Sequence, residues 1–396
     1  MNIKISKRMS KPDFQGEFIK AILSAAADPN IISFAGGLPN PVSFPIEKME
    51  RAAKAVLEEN GVMALQYNGA QGYLPLREYI SKRYKEKMGL DISPQEIIIT
   101  NGSQQALDMF AAVMVDPGDE IIVEKPTYLA ALQSFHLYDP TVLSINLNED
   151  GIDCDELAKA VSEHNPKYIY LIPNFQNPTG LTYSADVRKK VAEILKGKDI
   201  IVLEDNPYSE LRFAGTHQPS LATYLGEQCA LLGTFSKIVS PGMRIGWVAT
   251  TNKPLLEKLL AHKTTMDLHT NIFGQMVMER FLAENDLDKH IEETIELYKN
   301  KAEYMIACME KYLPAGVTYT KPEGGMFIWA TMPEGIAAVD VQNATIKKGV
   351  SVCAGDPFYE SDRGVRTMRI NYSNSSDEAI ERGIKVLGEV IKEFMK

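Results

Sequence analysis

Cysteine is scarce in this chain. Cys154, Cys229, Cys308 and Cys353 are scattered through 396 residues, with no C-x-x-C pair and no histidine cluster beside them. That spacing excludes a disulfide framework and a cysteine-built metal site, and it fits a reducing cytoplasm. Basic charge is also in deficit: 42 Lys and Arg stand against 52 Asp and Glu, a formal net charge of -10. A general nucleic-acid or membrane-surface binder needs a basic face and is therefore not expected. No uncharged apolar run is long enough for a membrane span, and the opening MNIKISKRMSKPDFQGEF holds no apolar stretch of the secretory kind. Repeats and low-complexity tracts are missing too. What is present is ordinary globular composition, 45% hydrophobic and 24% charged, in a chain long enough for one large domain and one smaller. With so acidic a balance, an acidic small ligand has to be met by particular arginines.

Short apolar, β-branched runs alternate with helical patterns through the middle of the chain. EIIIT (96–100), EIIVEKP (120–126), TVLSINL (141–147), YIYLIP (168–173), DIIVLED (199–205), ALLGTFS (230–236) and GWVAT (246–250) read as strands. Their nearly continuous hydrophobicity suits a sheet covered on both faces. QALDMFAAVMV, CDELAKAVSEH and SADVRKKVAEILKG have apolar residues at helical spacing between them, so an α/β fold with a mostly parallel sheet is expected. From about Pro254 to Leu313 the pattern turns helical; after that come a strand pair (VTYT, GMFIWA), the strand RTMRINYS and an amphipathic terminal helix. The expected division is an N-terminal arm and small-domain segment over 1–44, a large domain over 45–289 and a small α+β domain over 290–396.

The chemistry starts with a lysine. In GTFSKIVSPGMRIGW, Lys237 follows a buried strand between small hydroxyl residues, with Arg244 further on. A phosphate-bearing aldehyde cofactor requires such a pair, the lysine bonding the aldehyde and the arginine meeting the phosphate. Strand 199–203 delivers Glu204 and Asp205 at its end, with Tyr208 three residues on. Pyridoxal phosphate needs a carboxylate against its pyridine nitrogen to keep the ring an electron sink, and a phenol can bond the ring's 3′ oxygen.

Two further elements complete the constellation. NGSQQ puts Gly102, Ser103 and Gln104 at a helix N-terminus, where free N–H groups and the dipole favour phosphate. Tyr128 could stack on the ring, and Asn177 of QNPTG could reach the 3′ oxygen; strand ends of a parallel sheet bring such residues to one crevice. In the small domain Arg369 of VRTMRINYS is the choice for a substrate α-carboxylate over Arg363 and Arg366, because alternation sets it opposite the apolar Met368 and Ile370.

FAGGLPNPVSFP, QYNGAQGYLPLRE, TNGSQQALD, PNFQNPTG, EDNPY, FSK-x₆-R-x-G, PEGGMFIW and MRINYS resemble, in order and spacing, the class I/II aminotransferases of PLP fold type I, and within them the 2-aminoadipate and kynurenine aminotransferase group. The resemblance runs from about residue 31 to the C-terminus. It implies that Lys237 is the Schiff-base lysine, that Asp205 and Tyr208 contact the ring nitrogen and 3′ oxygen, and that Asn177 is the second 3′ oxygen donor. It further implies that Ser103, Gln104, Ser236 and Arg244 hold the phosphate, that Tyr128 stacks, and that Arg369 takes the α-carboxylate while Gly37 makes a backbone contact to substrate. Tyr67 matches a tyrosine that reaches the neighbouring subunit's phosphate, which implies a homodimer with shared sites. The implied reaction moves an amino group from an L-amino acid to a 2-oxo acid such as 2-oxoglutarate in two half-reactions.

Departures bear on the substrate. Aspartate-type relatives supply a distal-carboxylate arginine where this chain reads TTMDLHTN, with Asp267 and no arginine, so aspartate is not expected. The aminoadipate group carries an arginine on an early helix, and an ungapped alignment puts Lys20 there. Met326 and Phe327 near the mouth suit an aromatic or long aliphatic side chain. Two alternatives remain: a β-lyase-type PLP enzyme, since reaction type is not set by fold, and a PLP-sensing transcription regulator. The regulator fits poorly, because the motifs begin by residue 31 and the charge is acidic.

Overall fold

A computed structural model describes residues 3–396. Helix α1 (Phe14–Ala27) is started by Asp13, whose carboxylate accepts the Gly16 N–H at 2.8 Å, and leads to the two-residue strand β1 (Ile32–Ser33). Helices α2 (Ile46–Ala64) and α3 (Leu74–Arg83) follow. The alternating region then runs β2 (Ile97–Asn101), α4 (Gly102–Met114), β3 (Glu120–Lys125), α5 (Leu129–His136), β4 (Thr141–Asn148), β5 (Gly151–Ile152), α6 (Cys154–Glu163) and β6 (Tyr168–Leu171). It continues with α7 (Ala185–Leu195), β7 (Ile201–Asp205), α8 (Ala222–Leu225), β8 (Cys229–Thr234) and β9 (Ile245–Ala249). The helical stretch divides into α9 (Lys253–Asp267), α10 (Ile272–Glu284) and α11 (Leu287–Tyr312), so the boundary expected near 290 falls in the first turn of α11. The remainder is β10 (Thr318–Tyr319), β11 (Phe327–Thr331), α12 (Ala338–Ile346), β12 (Val350–Ser351), β13 (Cys353–Ala354), β14 (Thr367–Asn371) and α13 (Asp377–Phe394).

All seven expected central strands form, in an eight-stranded sheet of order β2-β9-β8-β7-β6-β3-β4-β5. Strands β4, β3, β6, β7 and β8 are mutually parallel, whereas β9 runs antiparallel to both β8 and β2, and β5 folds back on β4. Strands β2, β3, β6, β7, β8 and β9 are buried on both sides, which is why they read as nearly unbroken apolar runs, whereas β4 is largely half-exposed. Ile98, Ile121, Val123, Tyr170, Leu203, Leu232 and Val248 pack with Leu107 and Phe110 of α4, Leu132 of α5 and Leu259 of α9. The alternate residues Ile97, Ile99, Ile122, Ile169, Val202 and Leu231 join the larger core on the other face.

The C-terminal part forms a four-stranded antiparallel sheet, β10-β11-β14-β13. Helix α13, capped by Ser376, buries Ile380, Ile384, Leu387 and Ile391 along one stripe. Parallel pairing of β1 with β12, Ile32 opposite Val350, carries the N-terminal segment onto this part of the fold. The architecture is thus α/β with a mostly parallel central sheet and a smaller α+β portion, as expected. Among the described residues no helix is long and apolar enough to cross a membrane.

Candidate active site

Chain direction decides which side chains meet. The parallel strands end at one edge of the sheet: β3 leads there to Tyr128, β6 to Asn177, β7 to Asp205 and β8 to Lys237. Strand β9 enters from that same edge because it is antiparallel, so Arg244, the residue before it, arrives beside them. The result is a cavity of ≈ 500 Å³ lined by Gly37, Ser103, Gln104, Tyr128, Asn177, Asp205, Tyr208, Ser236, Lys237, Arg244, Phe327 and Arg369, among others. Eleven of the thirteen site residues expected from sequence are in that lining; Tyr67 and Lys20 are not.

Lys237 is half-buried and its Nζ donates to the Gly37 carbonyl at 2.8 Å. Burial, with Arg369 and Arg244 nearby, lowers its pKa to about 8, against the opposing pull of Asp205. Such an amine is partly free near neutral pH, as a nucleophile and proton carrier must be. Burial pushes the Asp205 carboxyl up to about 6, although a bond from the Tyr170 hydroxyl and the charge of Lys237 pull the other way. Tyr170 occupies Asp205 Oδ2 at 2.7 Å, while Oδ1 is buried without a partner among the described residues. Burial raises the pKa of both Tyr208 and Tyr128, which keeps the two phenols protonated.

An anion cradle lies at the start of α4. The first-turn N–H groups of Gly102, Ser103 and Gln104 have no intrahelical acceptor. Gln104's side chain is spent elsewhere, on the Ala130 carbonyl at 3.0 Å and Ser134 Oγ at 2.8 Å, which leaves its backbone N–H for the cradle. Ser236 Oγ accepts from Thr234 at 2.9 Å and from Arg244 Nη1 at 3.5 Å. Arg244 itself adopts the left-handed region, φ 52°, a backbone cost for an L-residue that aims its guanidinium at the helix start. Two glycines permit the approach. A Cβ on Gly246 would lie 2.6 Å from the Gly102 carbonyl carbon and the Ser103 nitrogen, and one on Gly102, at φ +71°, would strike the Arg244 guanidinium at 2.3 Å.

Arg369 is 3% exposed. Its neighbours Met368 and Ile370 belong to the main core, so the alternation that singled it out holds. Nη1 donates to Asn177 Oδ1 at 2.8 Å and Nη2 to the Ala35 carbonyl at 2.6 Å. The guanidinium lies 4.3 Å from the Phe327 ring centroid and 4.9 Å from that of Phe358, and its Nε is buried without a partner among the described residues.

Two expected residues sit elsewhere. Lys20 is exposed, and α1 turns Ile19, Ile22 and Leu23 toward the cavity in its stead, the i, i+3, i+4 stripe of a helix. Tyr67 is 78% exposed, its ring edge-on to His269 at 6.0 Å. Of the mouth residues, Phe327 lines the cavity, whereas Met326 is core. Asp267 is taken up by Lys263, Asn101 Nδ2 and Gln105 Nε2. Sequence reasoning missed Tyr170 and the α1 stripe; the apolar spacing Ile19, Ile22, Leu23 was the available signal for the latter.

The residues present fit pyridoxal phosphate. Asp205 with one unpartnered carboxylate oxygen, Arg369 with an unpartnered Nε–H, a lysine of lowered pKa and the residues of a helix start line one cavity, the set that a ring nitrogen, a carboxylate, an aldehyde and a phosphate would use.

The family model for aminotransferase class I and II matches residues 39–387. Over 384 residues the chain is 41% identical to aromatic-amino-acid aminotransferase 1 of Thermococcus litoralis, covering 96% of this chain and 92% of that protein. It is 36% identical over 384 residues to the 2-aminoadipate transaminase of Thermus thermophilus, covering 96% and 94%. The fold matches the crystal structure of Pyrococcus horikoshii kynurenine aminotransferase, in complex with PMP, KYN as substrates and KYA as products, at a TM-score of 0.93 and 40% identity over 99% of this chain and 98% of that one.

Proposed function

The chain belongs to the class I and II aminotransferases and is a pyridoxal phosphate-dependent aminotransferase of fold type I, and from that premise we propose that its donors are L-amino acids with aromatic or long aliphatic side chains, or 2-aminoadipate. The acceptor is a 2-oxo acid such as 2-oxoglutarate, and the two half-reactions alternate on one site. The observation that carries the aromatic and long aliphatic part of this range is the apolar lining that shares the cavity with Arg369: Ile19, Ile22 and Leu23 of α1, with Leu129 and Phe327; 2-aminoadipate rests on the similarity to the 2-aminoadipate transaminase. The relatives named for aromatic, kynurenine and 2-aminoadipate substrates support the same range.

The cofactor, when bound, supplies an aldehyde and an electron-accepting ring that acidify the Cα–H of an amino acid. The chain's own residues do the rest. Arg369 binds the substrate α-carboxylate through its free Nε–H and the fork it shares with Asn177 and Ala35. The Lys237 Nζ, released by substrate, takes the proton from Cα and later returns one. With the cofactor bound, Asp205 would hold the ring nitrogen's proton, Tyr208 and Asn177 would hydrogen-bond the 3′ oxygen, and Tyr128 would cover the ring. Ser103, Gln104, Ser236 and Arg244 would anchor the phosphate, and α1 with Phe327 would keep water from the substrate side chain.

We take the working unit to be a homodimer in which Tyr67 serves the partner's phosphate site. Val62 (89% exposed), Leu65 (77%) and Tyr67 (78%) leave an apolar surface near the end of α2 that a second copy would cover. The chain is best divided as an arm over 1–44, a large domain over 45–289 and a small domain over 290–396, supported by the separate sheets and the β1–β12 pairing. A panel of amino donors against 2-oxoglutarate tests the substrate range. Kynurenine, tyrosine, leucine and 2-aminoadipate are expected to be used and aspartate poorly; aspartate as the best donor would contradict it.

A further inference from the structure

Asp205 has two oxygens in different surroundings. Oδ1 is buried without a partner among the described residues, in a side chain that lines the cavity. Oδ2 accepts the Tyr170 hydroxyl at 2.7 Å. Tyr170 is not itself in the lining. It is fully buried one strand away, with its ring edge-on to Phe135 at 5.4 Å and 80°. The β6–β7 register sets Tyr170 opposite Leu203, and Asp205, two residues beyond Leu203, projects from the same face. The long phenol therefore reaches diagonally across to the carboxylate.

We propose that Tyr170 is a positioning residue for the cofactor: by occupying one oxygen of Asp205 it fixes the carboxylate so that the other oxygen meets the ring nitrogen, and it favours the carboxylate over the neutral acid. This rests on the assignment of Asp205 to that nitrogen. The geometry gives the hydroxyl no other role, since Asp205 is its one partner among the described residues. Burial and the neighbouring Asp205 hold the phenol's own pKa well above the ordinary tyrosine value, so it stays a donor throughout the range in which an enzyme works. A hydrogen bond donated to the charged form stabilises that form, and here it opposes the burial that drives the Asp205 carboxyl toward neutrality. Without it a larger share of Asp205 would be uncharged, and an uncharged acid has little hold on a pyridinium proton.

The strand supplies its own control. Tyr168, two residues earlier, is equally buried and lies edge-on to Phe110 and Phe135, but its hydroxyl has no partner among the described residues. Cofactor-free wild type, Tyr170→Phe and Tyr168→Phe can be titrated with pyridoxal phosphate by absorbance, and kcat and KM measured for one donor. Tyr170→Phe is expected to raise the cofactor's Kd roughly tenfold or more and to lower kcat by a similar factor, the scale of one hydrogen bond to a charged group. Donor KM should move less than about twofold, because Arg369 is untouched. Tyr168→Phe should match wild type. In an Asp205→Asn background Tyr170→Phe should add little, since no charge is left for it to hold. Equal losses from both phenylalanine variants, or an undiminished loss in the Asp205→Asn background, would overturn the proposal. A wild type that binds no cofactor would overturn the proposed function with it; a wild type that binds beside an unchanged Tyr170→Phe would overturn this proposal alone.

Discussion

Arg369 and Asp205 lend themselves to direct tests at the scale of single residues. Arg369 holds Asn177 and the Ala35 carbonyl, with Nε left over for the proposed α-carboxylate, through a planar fork that a lysine cannot reproduce. Arg369→Lys is therefore expected to lower kcat/KM for every donor alike, by about 1.5–3 kcal/mol of lost charged hydrogen bonding; a loss confined to some donors would place the α-carboxylate elsewhere. Asp205 gives a prediction of opposite sign for stability. Its carboxyl pKa is raised in the fold to about 6 from 3.8, so the folded chain binds more protons than the unfolded chain between those values. The penalty is absent below about pH 4, grows through that window and is complete above about pH 6. Cofactor-free Asp205→Asn should consequently be more stable than wild type at about pH 7, by up to about 3 kcal/mol, with the difference vanishing toward about pH 4. Urea unfolding at the two pH values checks this, and a variant less stable than wild type at the higher one would contradict it. Eleven of the cavity's lining residues could be named beforehand because their chemistry is tied to strand ends and short motifs. Tyr170 could not be, since YIYLIP reads as core, and only the register against β7 tells which of its tyrosines meets Asp205.

Among the elements, the central strands were legible because burial on both faces leaves an unbroken apolar run, and the long helices because one face stays polar. Four of the five two-residue strands, β1, β5, β12 and β13, carry no such pattern; they exist through pairing with other strands. Helix α1 shows how fine the margin is: a step of about 100° along it separates the exposed Lys20 from the cavity-lining Ile19. The contact of β9 with the start of α4 is also an element-scale feature, made possible by the missing side chain at Gly246. Gly246→Ala would press a methyl group against the Gly102–Ser103 backbone, and overpacking of that kind costs about 1–3 kcal/mol. The expected outcome is a cofactor Kd raised about tenfold with little change in far-UV circular dichroism. Unchanged affinity would mean that the helix start does not hold the phosphate.

For the whole molecule, fold class and the meeting of four strand ends followed from the order of strands and helices, whereas assembly did not. Tyr67 faces solvent in the single chain, so the role proposed for it requires a second copy. Mixing Tyr67→Phe subunits with Lys237→Ala subunits should give hybrids with one site free of both changes, and these should be more active than hybrids that carry both changes on one chain. Equal activity in the two pairings would count against shared sites. The identity of the anchoring lysine is tested most directly by borohydride reduction of the cofactor-loaded protein, followed by peptide mapping. The cofactor should be found fixed to Lys237, and prior addition of a good amino donor should abolish that label. A label on any other lysine, or one that persists unchanged in the presence of donor, would contradict the assignment of Lys237.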